Sequence, residues 1–216
     1  MKEYLDCKEK IDDNKIKEIG QDIKNGKIVV FPTETVYGIG TNGLNKEAIE
    51  KLYKIKQRPK EKPISLLVSD IEMINKVAKD IDEIEYDLIK QFMPGPLTII
   101  LRKKENIPDI LTNGSEFVGI RIPDNEIARK LIDYSGIPIA TTSANISGKE
   151  SNTELKDIML EFDDKVDYYI DGGISKIGKA STVVKVVNNK IEIIREGSIT
   201  KEELEKEIAK WFCYIL

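Results

Sequence analysis

A run of basic residues around two prolines is the feature of this sequence best suited to binding a polyanion. Within YKIKQRPKEKP, Lys54, Lys56, Arg58, Lys60 and Lys62 accompany a single acidic residue. Arginine offers a planar fork of donors to phosphate oxygens, and lysine offers a mobile point charge. At a helix end and its following turn, several of them could converge on one triphosphate. In a lysine-rich chain, however, such a run is also typical of a solvated turn.

Two further stretches place hydroxyls and small residues directly after an apolar segment. FPTETVYGIG has hydroxyls at Thr33, Thr35 and Tyr37, and ATTSANISG has five Thr, Ser or Asn residues at positions 141–147. Ligands of open α/β sheets collect at strand ends, where hydroxyls orient polar groups. Neither stretch has the spacing of a Walker phosphate loop or of a dinucleotide fingerprint. Both are candidate binding loops, and both are equally compatible with hydrogen-bonded turns.

Two arginines occupy otherwise apolar segments. Arg121 is the only charged residue of VGIRIP, and Arg195 ends KIEIIR. A charged residue in a strand usually faces outward with its alternate neighbours. The other interpretation is a site arginine that binds a carboxylate through two parallel hydrogen bonds. Both interpretations stay open for Arg121, and a position at the rim of a site is favoured for Arg195.

The composition excludes several kinds of catalysis. There is no histidine, and the two cysteines, Cys7 and Cys213, lie near opposite ends of the 216-residue chain. Ser-His-Asp and Cys-His systems and histidine metal sites are therefore ruled out. The cysteine spacing predicts ordinary reduced thiols and no zinc site. Any catalysis must use lysines, arginines, carboxylates, hydroxyls, backbone dipoles or a metal brought by the substrate.

Charge and hydropathy predict the location of the protein and its contacts with nucleic acid and membranes. The net charge of −4 argues against attraction of nucleic acid to the whole surface. The longest apolar runs, such as 28–31 and 97–101, are too short to span a bilayer. The N-terminal stretch MKEYLDCKEK lacks the apolar core of a signal peptide. We therefore expect a cytoplasmic protein with no membrane contact.

The elements that must position these residues alternate between helix and strand. Apolar spacing predicts helices over 11–24, 46–55, 125–134 and 155–162, with one or two more over 70–93. Strands are predicted over 27–32, 64–69, 119–123 and 166–170, within 92–104, and at the start of 137–145. Residues 33–44 are predicted to form a loop. The pattern indicates one α/β domain with a mixed sheet.

The C-terminal part has two local signals. Asn188 and Asn189 separate two apolar runs, 181–187 and 190–197, and predict a hairpin with antiparallel strands. Thr200 and Glu203 form a capping-box pattern that predicts a closing helix over 200–211.

Seven segments in a fixed order resemble the YrdC-like family of threonylcarbamoyl-AMP synthases. They are KIVVFPTETVYGIG, KIKQRPKEKPISLLV, MPGPLTIIL, VGIRIPD, IPIATTSANISG, STVVKV and IIREGSI. The resemblance implies an α/β fold, a single-domain twisted mixed sheet with flanking helices and a concave basic cleft. It places this domain at 11–199 and a C-terminal helix or tail at 200–216, as in the short form of the family.

The resemblance also implies a reaction. Members of the family combine L-threonine, bicarbonate or carbon dioxide, and ATP to give threonylcarbamoyl-adenylate and pyrophosphate. A second enzyme system transfers the threonylcarbamoyl group to a tRNA adenosine. The same nucleotidyl transfer is therefore expected here, with Mg²⁺ arriving with ATP and with downstream tRNA threonylcarbamoyl-transfer enzymes as partners. Any contact with RNA is expected to be weak.

The resemblance assigns roles residue by residue. Its K-x-R and S-x-N signatures fall on residues implied to be catalytic, namely Lys56, Arg58, Ser143 and Asn145. Positions implied to contact threonine are Thr35, Tyr37, Leu67, Arg121, Thr141 and Ser181. Positions implied around ATP are Arg58, Lys62, Phe117, Ser143, Ser151 and Arg195. In this scheme Lys56, Arg58 and Lys62 neutralise the polyphosphate, and no dedicated metal site is implied.

Two other functions compete with this interpretation. The first is a module that binds tRNA or double-stranded RNA without turnover. The acidic net charge and the scarcity of aromatic residues near the basic run argue against it. The second is a carbamoyl-transfer domain like that of hydrogenase-maturation factors, which carry zinc fingers. The lack of cysteine clusters argues against that alternative.

Overall fold

A mixed β-sheet organises the computed structural model, which describes residues 2–204 and 206. Its ten described strands are β1 Glu3–Asp6, β2 Val29–Phe31, β3 Gly38–Asn42, β4 Ser65–Leu67, β5 Leu97–Arg102, β6 Phe117–Arg121, β7 Ile139–Ser143, β8 Tyr168–Asp171, β9 Thr182–Val187 and β10 Lys190–Arg195. Their spatial order is β1-β8-β2-β3-β7-β4-β6-β5-β9-β10. The first and last described strands therefore form the two edges.

Parallel and antiparallel pairs are interspersed in this sheet. β8 runs parallel to β1 and β2, β4 runs parallel to β6, and β5 runs parallel to β9. The remaining neighbours are antiparallel, including the β9–β10 hairpin. Asn188 and Asn189 turn that hairpin with φ angles of 51° and 59°, the left-handed conformation that asparagine tolerates. The predicted mixed sheet and hairpin are confirmed.

Side-chain caps set the starts of most helices. The helices are α1 Asp13–Lys24, α2 Lys46–Lys56, α3 Ile71–Val77, α4 Glu83–Phe92, α5 Asp109–Thr112, α6 Glu126–Ser135 and α7 Leu155–Phe162, with a 3₁₀ helix at Asp163–Lys165. Asp12, Asn45 and Asn125 each accept a hydrogen bond from a backbone N–H of the first turn. Helices α1 and α6 pack closely at Gly20. The missing side chain permits this approach, since a Cβ at Gly20 would lie 2.9 Å from that of Tyr134.

The sequence-based prediction of a loop over 33–44 is wrong in its second half. Gly38–Asn42 forms the fully buried strand β3 between β2 and β7. Its glycines suggested a loop, but they permit close packing of strands. A Cβ at Gly40 would lie 2.8 Å from the Thr141 hydroxyl oxygen and 2.9 Å from the Ala140 carbonyl oxygen. Tertiary packing here overrides the weak strand propensity of glycine.

Three other short elements were not predicted. β1 lies before the expected domain start at residue 11 and pairs with β8, so the sheet begins at Glu3. The four-residue helix α5 and the 3₁₀ helix also lacked a recognisable periodic signal.

The expected capping box after β10 is present. The backbone N–H of Thr200 donates to Glu203 Oε2 over 2.7 Å, and the N–H of Glu203 donates to Thr200 Oγ1 over 3.2 Å. Residues 201–204 are helical, and the predicted continuation to Trp211 lies mostly outside the described residues. Cys7 is a buried free thiol, and Cys213 lies outside the described part. Within that part, no helix has the length and apolarity needed to cross a membrane.

Thr182 ties the start of β9 to the segment after β10. Its buried hydroxyl oxygen accepts hydrogen bonds from the backbone N–H groups of Gly197 and Ile199 at 2.9 and 3.0 Å. We expect Thr182→Val, which keeps the shape, to lower the free energy of unfolding by about 3 kcal/mol, because two buried donors lose their acceptor. Thr182→Ser keeps the acceptor and should cost only about 1 kcal/mol. Urea unfolding curves of both variants test this; equal stabilities would contradict it.

Candidate active site

A cavity of about 430 Å³ lies on one face of the sheet. That volume is within the usual range for small-molecule sites. Side chains alternate along a strand, so Thr98 and Ile100 of β5 line the cavity while Leu97 and Ile99 are buried on the other side. The neighbouring strands and two loops complete the wall with Ser65, Leu67, Gly119, Thr141, Ser143, Val183, Thr33, Thr35 and Pro63, among others.

Three arginines line this cavity, whereas no aspartate or glutamate of the described residues does. Each guanidinium is held by backbone carbonyls. Arg58 donates to the carbonyls of Lys62 and Pro63 at 2.9 and 2.8 Å, Arg121 donates to that of Gly95 at 3.0 Å, and Arg195 donates to that of Ser181 at 2.8 Å. Tethering fixes the orientation of the charges before a ligand arrives, which lowers the entropic cost of binding an anion.

The three positive charges also affect one another. Burial lowers the pKa of Arg58. Arg195 lies at the rim of the cavity and is exposed as a whole residue. Partial burial of its guanidinium is the main cause that lowers its pKa, and repulsion from Arg121 and Arg58 adds to it. Guanidinium groups nevertheless stay protonated in proteins. The site therefore holds excess positive charge that an anionic ligand would neutralise.

Arg121 is buried, with 7% of its surface exposed, so the interpretation that it faces outward into solvent is wrong. Its Nη2 donates to Thr35 Oγ1 at 3.0 Å and lies 2.6 Å from Glu34 Oε1 in a buried ion pair. The pair lacks hydrogen-bond geometry, and neither Glu34 carboxylate oxygen accepts a hydrogen bond from a described residue. Sequence reasoning missed Glu34. Its signal was available, because a buried arginine requires a counter-charge and Glu34 is the only acid among the hydroxyls of FPTETVYG.

Hydroxyl groups surround the arginines. Thr33 and Thr35 share a hydrogen bond of 2.9 Å, and Thr98 and Ser181 share one of 2.8 Å. The Tyr37 hydroxyl donates to the carbonyl of Gly173 at 2.7 Å, and burial raises its pKa. Tyr37 therefore anchors the loop after β8 through its hydroxyl. Thr98 was not predicted, because a threonine in an apolar strand carries no signal of its own.

The cavity brings together most of the predicted site residues. Those that line it are Thr35, Tyr37, Arg58, Leu67, Arg121, Thr141, Ser143, Ser151, Ser181 and Arg195. They come from distant parts of the chain, from strands β4, β6, β7 and β10 and from the loops between elements. Four predicted residues do not line it, namely Lys56, Lys62, Phe117 and Asn145.

Each of these four has a different environment. Lys62 is exposed in the turn after α2, and its carbonyl binds Arg58. The Phe117 ring is covered by the Lys185 ammonium, 3.7 Å from the ring centroid. Asn145 is buried, and its amide nitrogen donates to backbone carbonyls in the loop after β7.

Lys56 is the fourth, and its side chain is enclosed. Its ammonium donates to the backbone carbonyls of Ser143 and Asn145. Burial, and then the charge of Arg58, lowers its pKa to about 7. Its position gives no support to the expectation that it neutralises a polyphosphate, because the ammonium is directed at the backbone and not at the cavity.

No group of three or more histidine, cysteine, aspartate or glutamate side chains in the described part of the chain could hold a metal ion. The cavity offers anion-binding groups and hydroxyls, and its lining has no carboxylate among the described residues. Its chemistry therefore suits a polyanionic substrate with polar substituents.

Similar sequences occur among known proteins. A protein of Methanocaldococcus jannaschii is 48% identical over 186 residues, which are 86% of this chain and 87% of that protein. The threonylcarbamoyl-AMP synthase of Pyrococcus abyssi is 40% identical over 206 residues, which are 95% of this chain but 61% of the relative. The chain thus spans less than two thirds of the P. abyssi protein.

The fold is also found among solved structures. The crystal structure of P. abyssi Sua5 in complex with L-threonine superimposes with a TM-score of 0.91 at 40% identity, covering 94% of this chain and 60% of that one. The Sua5/YciO/YrdC family model, described as telomere recombination, matches residues 21–197. The chain therefore belongs to the Sua5/YciO/YrdC family.

Proposed function

We propose that this protein is a threonylcarbamoyl-AMP synthase, which makes threonylcarbamoyl-adenylate and pyrophosphate from L-threonine, bicarbonate or carbon dioxide, and ATP. The observation that carries the proposal is the set of three tethered arginines, Arg58, Arg121 and Arg195, in one hydroxyl-lined cavity. ATP is a polyanion, and threonine carries a carboxylate that a guanidinium can bind. The name of the P. abyssi relative and its complex with L-threonine add support.

Threonine fits the part of the cavity around Arg121. Arg121 donates from Nε to the Gly95 carbonyl, and its Nη2 lies against Thr35 and Glu34. Among the contacts of the described residues, the N–H groups of Nη1 are left for a carboxylate. The substrate's amine and hydroxyl would then lie among the hydroxyls of Thr35, Thr141 and Ser181, with Leu67 and Tyr37 as apolar walls. A charge-assisted hydrogen bond from Nη1 to the carboxylate would help to fix the orientation of the amino acid.

ATP fits the part that contains Arg58, Arg195, Ser143 and Ser151. The two guanidinium groups would neutralise phosphate oxygens, and the hydroxyls would bind uncharged acceptors or the ribose. Exposed Lys62, beside Arg58, is close enough in sequence to add a mobile charge. Phe117 lies two positions before Gly119, which lines the cavity, so both lie on the same face of β6. Mg²⁺ would enter as part of the ATP complex, as is usual for nucleotide substrates.

The chemistry requires positioning more than covalent catalysis. The threonine amine adds to carbon dioxide, forming an N–C bond and losing a proton, which gives a carbamate. A carbamate oxygen then attacks the α-phosphorus of ATP, and the bond to the bridging oxygen breaks as pyrophosphate leaves. Displacements at phosphorus depend on alignment and charge neutralisation, which preorganised arginines supply. A protein without histidine is suited to this chemistry.

The test supplies purified protein with ATP, L-threonine and bicarbonate and measures pyrophosphate. Release should depend on all three substrates, and the nucleotide product should carry the mass of threonylcarbamoyl-adenylate. L-Serine, which lacks the methyl group, is the matched control and should react more slowly by about tenfold or more. Folded protein that releases no threonine-dependent pyrophosphate would refute the proposal.

The remaining partners follow from the product. An adenylate is an activated intermediate, so we propose that a tRNA threonylcarbamoyl-transfer enzyme consumes it in the cytoplasm. With a net charge of −4, direct contact with RNA would be weak. A salt titration of tRNA binding distinguishes the two activities: tight binding in the absence of ATP turnover would favour an RNA-binding module instead.

A further inference from the structure

The two signatures K-x-R and S-x-N divide between the cavity and the protein behind it. Arg58 and Ser143 line the cavity, whereas Lys56 and Asn145 do not. Lys56 is only 1% exposed and Asn145 only 5%. A side chain enclosed to this extent cannot touch a phosphate in the cavity unless the surrounding structure opens. The two buried members therefore need another role.

Lys56 binds the segment that follows β7 through both its side-chain ammonium and its backbone carbonyl. Its ammonium donates to the carbonyls of Ser143 and Asn145, and its own carbonyl accepts from the N–H of Ser147 at 3.1 Å. Lys56 is the last residue of α2, so these bonds join the helix to the end of β7. A buried ammonium requires acceptors to replace lost hydration, and here the acceptors are backbone carbonyls.

Glu161, the acid whose charge acts on the Lys56 ammonium, already binds other groups. Glu161 of α7 accepts from the N–H of Ile146 at 3.1 Å and pairs with Lys149 at 2.8 Å. Among the described residues, the two hydrogen bonds of the Lys56 ammonium go to backbone carbonyls. A neutral amine retains two N–H groups, so both carbonyls can remain bound whether or not Lys56 is protonated.

Asn145 secures the same segment from inside. Its amide nitrogen donates to the carbonyls of Ile146 and Lys149 at 2.9 and 2.8 Å. With the bonds from Lys56, residues 143–149 are fixed from both sides. The hydroxyl of Ser143 is then presented to the cavity by a rigid backbone.

We propose that Lys56 is a positioning residue. Its expected effect on turnover rests on the function proposed above. It orients the Ser143–Ser147 segment so that Ser143 meets the nucleotide, and it does not contact the phosphates. Arg58 carries the phosphate contact of the K-x-R signature. The two residues of this signature thus have different tasks, one in the supporting structure and one in the cavity.

The first experiment compares Lys56→Met, Ser143→Ala and the double variant. Lys56→Met should lower kcat by about 10- to 100-fold, because a displaced supporting group misaligns its neighbour. The Kd for ATP should rise no more than it does in Ser143→Ala, since Lys56 itself makes no phosphate contact. The double variant should be no slower than Ser143→Ala, because both changes remove the same function. Multiplying losses, or a rise in the Kd for ATP beyond that of Ser143→Ala, would overturn the proposal.

The second experiment needs no variant and no turnover, so it remains decisive if Lys56→Met fails to fold. The wild-type protein is treated with an amine-reactive reagent, and each lysine is followed by mass spectrometry with and without ATP. Lys56 should be unreactive in both states, whereas exposed Lys62 should react and become protected when ATP binds. Ready labelling of Lys56 that ATP suppresses would overturn the proposal. Failure of wild-type turnover would count against the proposed function instead, whatever the labelling pattern.

Discussion

Arg58→Ala is expected to lower kcat/KM for ATP by about 1000-fold while leaving the fold intact. The substitution removes a preorganised charge from the site where phosphate charge would be neutralised, and such donors are worth about 3–4 kcal/mol in the transition state. Arg58 is half-buried in a turn, and among the described residues its side chain donates hydrogen bonds to the carbonyls of Lys62 and Pro63 in the same turn. Pyrophosphate release measured against ATP concentration gives the activity, and thermal unfolding monitors the fold.

Two variants make this result specific. Lys60→Ala removes an exposed charge from the same turn and should leave turnover within about twofold, as expected for a surface charge. Arg58→Lys keeps the charge but loses the planar fork, so it should recover only part of the activity. Equal losses in Arg58→Ala and Lys60→Ala would show that the turn acts through general charge, and near-normal activity of Arg58→Ala would remove Arg58 from the site.

Arg121→Met should affect both stability and activity. It leaves the Glu34 carboxylate buried without its ion-pair partner, and breaking such a pair costs about 3–5 kcal/mol of unfolding free energy. It also removes the guanidinium proposed to bind the threonine carboxylate. We therefore expect a marked drop in unfolding free energy in urea and a rise of about 100-fold or more in KM for threonine.

The double variant Glu34→Gln/Arg121→Met separates the two effects. Replacing the carboxylate with an uncharged amide removes the unpaired charge, so most of the lost stability should return. Activity should stay low, because no guanidinium is restored. Recovery of threonine turnover in the double variant would show that Arg121 serves only to neutralise Glu34. A single variant as stable as the wild type would show that the buried pair is not needed for folding.

The fold was predictable where the sequence carries a period or a turn signal. The helices at α1, α2 and α6 follow from apolar spacing, whereas their caps, Asp12, Asn45 and Asn125, were not among the predictions. The hairpin follows from the asparagine pair at 188–189. β3 was missed because its glycines are dictated by the neighbouring strand β7, a non-local contact that local propensity cannot report.

The site, like the fold, could be predicted from the sequence only in part. The family motifs supplied the residues around the cavity, but residue type alone could not tell Lys56 from Arg58. Both are basic and only two positions apart, yet one is enclosed behind β7 and the other lines the cavity. Lys56 is the last residue of α2, whereas Arg58 follows Gln57, whose left-handed conformation with a φ angle of 49° ends the helix and turns the chain. Glu34 could likewise be recognised as a counter-charge only once Arg121 was known to be buried, and the fold establishes that burial.

The parallel pairing of β5 with β9 has a consequence for how the protein matures. Strand β5 pairs on one side with β6, but its residues 97–100 obtain their second neighbour only when residues 182–185 of β9 have been synthesised. Arg195 arrives later still on β10. A nascent chain that has emerged only as far as β8 lacks one wall of the cavity and one of its three arginines. Because contacts so distant in sequence form late in folding, binding competence should appear in a single step at the end. Partly made chains would thus be unable to engage ATP.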